Sequence, residues 1–233
     1  SATNQLLGNQ EIAQLTNLPK PTVARITSTL VSLGYLKQLP NTTKYLLDVG
    51  VLALGYAALS NISARTQAYP FMEEMSRYSQ APVAMATRDR LSMIYLEVVH
   101  TESTLTMRRP VGSTLPIHSS AMGRACLAAM DVKEREYLFD AIKKRNEDQW
   151  PTIKRNLERA IRDYQDYGYC LSLGDWAKDV NSVAVPLVHP KHGILTFNCG
   201  APSYLLNQEK LENEIGPRLI HMVNNISMNL NNI

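Results

Sequence analysis

Cysteine is scarce in this 233-residue chain, and Cys126, Cys170 and Cys199 are too widely spaced, and odd in number, to frame a set of disulfides or a CxxC site. Such sparing use suits a reducing compartment, so a cytoplasmic location is expected. Long apolar runs are also lacking. The longest, Val49 to Leu59, contains two glycines and falls far short of the roughly 18 residues that cross a bilayer, so no membrane partner is expected. Nor is there a strong charge of one sign: 24 Lys and Arg face 21 Asp and Glu, a formal +3. Any affinity for a polyanion must therefore be local. The chain has no GxSxG, HExxH or GxGxxG, and its GxxxxG, Gly50 to Gly55, lacks the Lys and Ser or Thr of a phosphate loop. Ser119 and Ser120 follow His118, but helix capping explains two serines at a helix start better than a nucleophile and base do. His189 and His192 lie in a Pro and Gly turn with no nearby Cys, Asp or Glu to complete a metal set. The expectation is no enzyme, no metal and no cofactor.

What is present is concentrated between Asn9 and Leu47. A short helix, a turn at Asn17 and a second helix from Pro19 to Leu33 read as a helix-turn-helix, with Ile12, Leu18, Val23 and Ile26 packing where the helices cross. Asn tolerates the left-handed backbone that such a turn needs. Pro21 fits the first turn of the second helix, whose N–H groups lack intrahelical partners. Val23, Ile26, Leu30 and Leu33 form its expected inner stripe, leaving Pro21, Arg25, Ser28 and Ser32 outward, with Lys20 and Thr22 at the N-terminal end. Gly34 ends it. Tyr35 to Leu39 and Lys44 to Leu47 then read as a two-stranded wing. From Ile12 to Leu47 there are four basic residues, Lys20, Arg25, Lys37 and Lys44, and no acidic one. A double-stranded DNA operator is the expected partner, contacted by the face that carries Pro21, Arg25 and Ser28, with Arg25 reading bases and Lys20, Thr22 and Lys44 of the wing on the phosphates.

The segment Asp48 to Ser60 carries too many apolar residues for a solvated spacer helix. It is expected to pair with its counterpart in a second subunit, the alternative being its own domain. After it come a helix over 63–79 with Tyr69, Met72, Met75 and Tyr78 on one face, strands Val83 to Thr87, Met93 to Val99 and Leu105 to Arg108, and a loop from Gly112 to His118. A helix to Met130 follows, then another from Pro151 to Gly168. Strands Tyr169 to Leu173, Val183 to Val188 and Ile194 to Cys199 precede a last helix that Pro217 should kink. Pro186 hints at an unpaired strand edge. Strands and helices in irregular order imply an α+β fold with an antiparallel sheet and flanking helices.

The run LPKPTVARITSTLVSLGYL, then LLDVGVLALG, PVGSTLPIHSSAMGRACLA and SVAVPLVHPKHG, resembles the IclR family of bacterial transcriptional regulators along nearly the whole chain. Family members carry a further helix before the helix-turn-helix, for which Ser1 to Leu7 is too short, so a leading segment is expected to be missing. The resemblance implies a winged helix-turn-helix with linker helix over 1–60 and a GAF-like effector-binding domain over 61–233. It implies a homodimer or homotetramer, and a small-molecule metabolite bound by Ala121, Met122, Ser172, Ser182, Phe197 and Cys199, with Asp175 and Trp176 on the adjoining loop. Where the family often has Ser or Gly on the final strand, Phe197 and Cys199 stand here, which suggests a partly filled or less polar pocket. The expected function is a DNA-binding regulator controlled by an organic acid, the alternative being a sensor that acts through protein partners.

Overall fold

The structure, a computed structural model, describes residues 6–100 and 109–231. The expected strand Leu105 to Arg108 lies outside them. Two compact units divide the chain, Ser1–Ile62 and Ser63–Ile233.

The first unit runs β1 (Leu7–Gly8), α1 (Asn9–Thr16), α2 (Lys20–Ser32), β2 (Leu36–Gln38), β3 (Lys44–Leu47) and α3 (Gly50–Ser60). Asn17 has φ 54° and closes α1 in the left-handed conformation. Ala13, Val23 and Thr27 are buried where α1 and α2 cross. The Thr27 hydroxyl donates to Asn9 Oδ1 at 2.9 Å, so a polar bridge joins the two helices at their contact. The inner stripe of α2 is therefore Val23, Thr27 and Leu30, one residue every turn. Three residues expected inside are not: Leu18, Ile26 and Leu33 are 41%, 44% and 58% exposed. Ile26 sits on the flank of α2, and the other two lie beyond its ends. The wing has three strands in the order β1-β3-β2, because Leu7 pairs with Tyr45 on the side of β3 away from β2.

The second unit runs α4 (Ala64–Ser79), β4 (Val83–Asp89), β5 (Ser92–Val99), β6 (Thr114–Pro116), α5 (Ala121–Ala129), α6 (Val132–Arg145), α7 (Trp150–Tyr167), β7 (Cys170–Leu173), β8 (Val180–His189) and β9 (Gly193–Pro202). It closes with α8 (Gln208–Lys210), a π-helical turn Leu211–Ile215 and α9 (Gly216–Asn231). The strands form one antiparallel sheet ordered β6-β5-β4-β9-β8-β7 among the described residues. One face packs on α5, the other on α4 and α9. Both faces of the central strands are thus covered by helices.

Several elements differ from expectation. Helix α6 was not expected: Asp131 caps it by accepting from Glu134 N, but only Leu138 and Ile142 are buried, so its apolar stripe is thin. The loop before α5 contains β6, which adds an edge to the sheet. On α4 the buried residues include Ala64, Ala68, Met72 and Met75, whereas Tyr69 and Tyr78 are exposed. Strand β8 is internal, yet β7 pairs with it only from Asn181 to Ala184, so Pro186 sits where that flank has no ladder to break. Pro217 follows the π turn, where the helix widens around a ring that cannot donate an N–H.

Candidate functional site

In the first unit, α2 presents Pro21, Arg25, Ser28 and Ser32 outward, all exposed, with Lys20 exposed and Thr22 half-buried at its start. The N–H groups of the first turn that lack intrahelical partners, and the helix dipole, add attraction for an anion to the Lys20 and Arg25 charges. Lys44 is not free in the same way. Its ammonium pairs with the Glu11 carboxylate, which also accepts from Gly8 N at 2.8 Å. The hydrogen bond from Lys44 holds the Glu11 carboxyl below its ordinary range. Glu11 stands one position before the window that contained no acidic residue, and folding brings it onto the wing. Lys44, expected on the phosphates, is thus ion-paired with Glu11 while remaining partly exposed, and Lys37 on β2 is exposed.

In the second unit, a cavity of about 50 Å³ lies between the sheet and the start of α5. Its walls include Ala84, Tyr95, Arg109, Ala121, Trp176, Ser182 and Asn198, with Gly200 beside Ser182. Three of the eight expected effector residues, Ala121, Trp176 and Ser182, are brought together here. Phe197 and Cys199 are not. Phe197 pairs with Met85 and Val185, and Cys199 with Val83 and Val183. Paired residues of antiparallel strands share a face, and this face packs on α4 and α9. The cavity side of β9 belongs to Thr196, Asn198 and Gly200. A one-residue error in register moves every side chain through the sheet. The alternation was visible in the sequence: small or polar at 196, 198 and 200, apolar at 195, 197 and 199.

The remaining expected residues support the cavity without lining it. Met122 is buried in α5 against the sheet core. Ser172 donates to Ser119 O at 2.8 Å, fixing β7 to the start of α5. Asp175 accepts from Arg124 Nη1 at 2.8 Å and holds the loop that carries Trp176. The indole in turn lies 4.4 Å from the Arg109 guanidinium. Arg109, Tyr95, Asn198 and Gly200 were missed because residues far apart in the chain meet here only through strand pairing. Ser120 accepts from Gly123 N at 3.1 Å and donates to Pro116 O at 2.7 Å, which makes it a helix cap. The rings of His189 and His192 stack with centroids 4.9 Å apart, and His189 Nδ1 accepts from Lys191 N. The three cysteines are buried, and burial pushes the thiols of Cys126 and Cys199 up to about 12 and about 11.

The first unit has the architecture of a winged helix-turn-helix DNA-binding domain, and the second holds a small, mostly apolar cavity with a few polar groups in its wall. Comparison with known proteins agrees with this division. The IclR helix-turn-helix domain matches residues 1–40, and the C-terminal domain of the bacterial transcriptional regulator IclR matches residues 56–228. The HTH-type transcriptional regulator TsaQ1/TsaQ2 of Comamonas testosteroni is 36% identical, over 95% of this chain and 81% of that protein. A crystal structure of an IclR family transcriptional regulator from Brucella abortus is 58% identical, with TM-score 0.95, covering 98% of this chain and 86% of that one. An IclR homologue from Microbacterium hydrocarbonoxydans, solved in complex with 4-hydroxybenzoate, shares the fold at 20% identity and TM-score 0.69, over 98% of this chain and 94% of that one. The chain belongs to the IclR family and is a helix-turn-helix transcriptional regulator.

Proposed function

We propose that this regulator reads a double-stranded operator through Arg25 on α2, assembles as a homodimer or homotetramer through α3, and is controlled in the cytoplasm by a small organic acid bound in its second unit. The reading assigns it no cofactor and no catalytic step. The observation that carries it is the exposed outer face of α2, where Arg25 stands among Pro21, Ser28 and Ser32 at the positions a recognition helix offers to the major groove. A guanidinium there can pair bidentately with guanine, whereas Lys20 and Thr22 at the helix start suit the phosphates. The enclosed cavity, and the ligand bound by the fold-sharing homologue, support the effector part.

The test is binding to operator fragments from the DNA beside the protein's own locus. Arg25→Ala is expected to cost about 1 to 3 kcal/mol and relax one operator position. An equal loss on every sequence would remove Arg25 from base reading. For the effector, a metabolite that shifts operator affinity in the parent is expected to lose that effect in Ser182→Leu, where the added side chain fills the cavity.

A further inference from the structure

Among the cavity walls, Arg109 is the one charged side chain, and no carboxylate lines the space. Among the described residues its guanidinium has no ion pair; it lies over the Trp176 ring, and its charge acts on Tyr95. Tyr95 is 8% exposed, faces the cavity and has no hydrogen-bond partner for its hydroxyl among the described residues. Burial pushes that phenol up to about 12, opposed by the Arg109 charge, so it stays a neutral donor. Two donors therefore line one small cavity with no protein acceptor between them among the described residues, and their polar ends are open to whatever enters the space.

We propose that Arg109 and Tyr95 form a clamp for the carboxylate of a small organic monoanion, and that ligand binding draws the guanidinium off the Trp176 indole. The proposal rests on reading the cavity as the effector site and adds the ligand's charge, its anchor and its gate. One cation matches one carboxylate, and a second anionic group would be buried against Ala84, Val98, Leu115 and Ala121 with no counter-charge. The space of about 50 Å³ admits only a few heavy atoms, so a larger body is expected to press on Trp176, which stands in its wall. That residue can yield because it rides on the loop between β7 and β8. The loop is pinned at its base, where Gly174 N donates to Val180 O at 3.0 Å and Arg124 holds Asp175. Guanidinium on carboxylate is a charge-assisted and bidentate contact, stronger than guanidinium on an aromatic face.

The chain has two tryptophans, and Trp150 packs edge-on to Phe139 outside the cavity walls. Trp150→Phe therefore leaves Trp176 as the sole indole reporter. In that background, sodium acetate, pyruvate and benzoate are titrated at constant ionic strength beside acetamide and benzamide. The clamp requires that at least one carboxylate change Trp176 emission saturably and bind about tenfold or more tighter than its amide. It requires that Arg109→Met abolish this preference, that Tyr95→Phe weaken the carboxylate several-fold, and that Arg109→Lys fall between parent and Arg109→Met, with thermal midpoints checked for each. Equal binding of acid and amide, undiminished carboxylate affinity in both the Arg109→Lys and Tyr95→Phe forms, or no binding by any of the three acids overturns it. A carboxylate that saturates the clamp yet leaves operator affinity unchanged keeps the clamp and removes the effector reading. A neutral compound that shifts operator affinity through the cavity does the reverse.

Discussion

Arg124 Nη1 donates to Asp175 Oδ2 at 2.8 Å from a guanidinium only 3% exposed. The same nitrogen reaches Leu171 O at 2.8 Å, and the Asp175 oxygen also accepts from Leu173 N at 3.2 Å. One buried cation thereby ties α5 to β7 and to the loop that places Trp176 over the cavity. Asp175→Asn would leave it without a full counter-charge. Because Asp175 retains contact with water, the expected loss is about 1 to 3 kcal/mol, below that of a fully buried pair. Urea denaturation measures it, with a red shift of Trp176 emission as the loop loosens. An unchanged midpoint and spectrum would mean that backbone bonds alone hold the loop.

The Glu11–Lys44 pair makes a prediction about salt and acid. Replacing Glu11 by Gln frees Lys44, so operator binding should tighten at low salt and its salt slope steepen by up to about one unit. Lys44→Ala should flatten the slope more in the Glu11→Gln background than in the parent, and identical effects in both would show that the ion pair does not compete with DNA. The acid side has a definite sign. A carboxyl whose folded pKa is lowered stabilises the fold above its unfolded value, near the ordinary 4.5, and loses that contribution as pH falls through the lowered value. Acid unfolding of the first unit should therefore lose this component in Glu11→Gln.

Helix α3 buries none of its residues, and Leu52, Leu54 and Tyr56 are 75%, 53% and 72% exposed. With so much apolar surface and no charge on the helix, a second copy of α3 is the proposed cover. A Leu52→Asp, Leu54→Asp double variant is expected to fold with an unchanged far-ultraviolet spectrum, sediment as a smaller species and lose tight operator binding. Unaltered sedimentation and binding would place the interface elsewhere.

Gly123 is set by close approach. A Cβ there would lie 2.0 Å from the Ile117 carbonyl oxygen and 2.4 Å from its Cα, both backbone atoms that no side-chain rotation can move. Ala is ordinarily the better helix former, by about 1 kcal/mol. Here Gly123→Ala is expected to destabilise the second unit by more than about 3 kcal/mol, since the segment before α5 must shift and take the Ser120 cap with it. A calorimetric midpoint at or above the parent's would refute that packing.

The features legible along the chain were local ones. Asn17 at the turn, Pro21 in the first turn of α2, Gly34 after α2 and Gly168 after α7 act through neighbours a few residues away, so they announce helices and their ends. The charge cluster on α2 was legible for the same reason. The tertiary structure decided everything that depends on which distant residues share a face. It placed Glu11 on Lys44, turned Phe197 and Cys199 toward α4 and α9, and brought Tyr95, Arg109, Trp176 and Asn198 around one cavity. Strand register is fixed by the ladder as a whole, and because side chains alternate with period two, a shift of one residue exchanges wall for core.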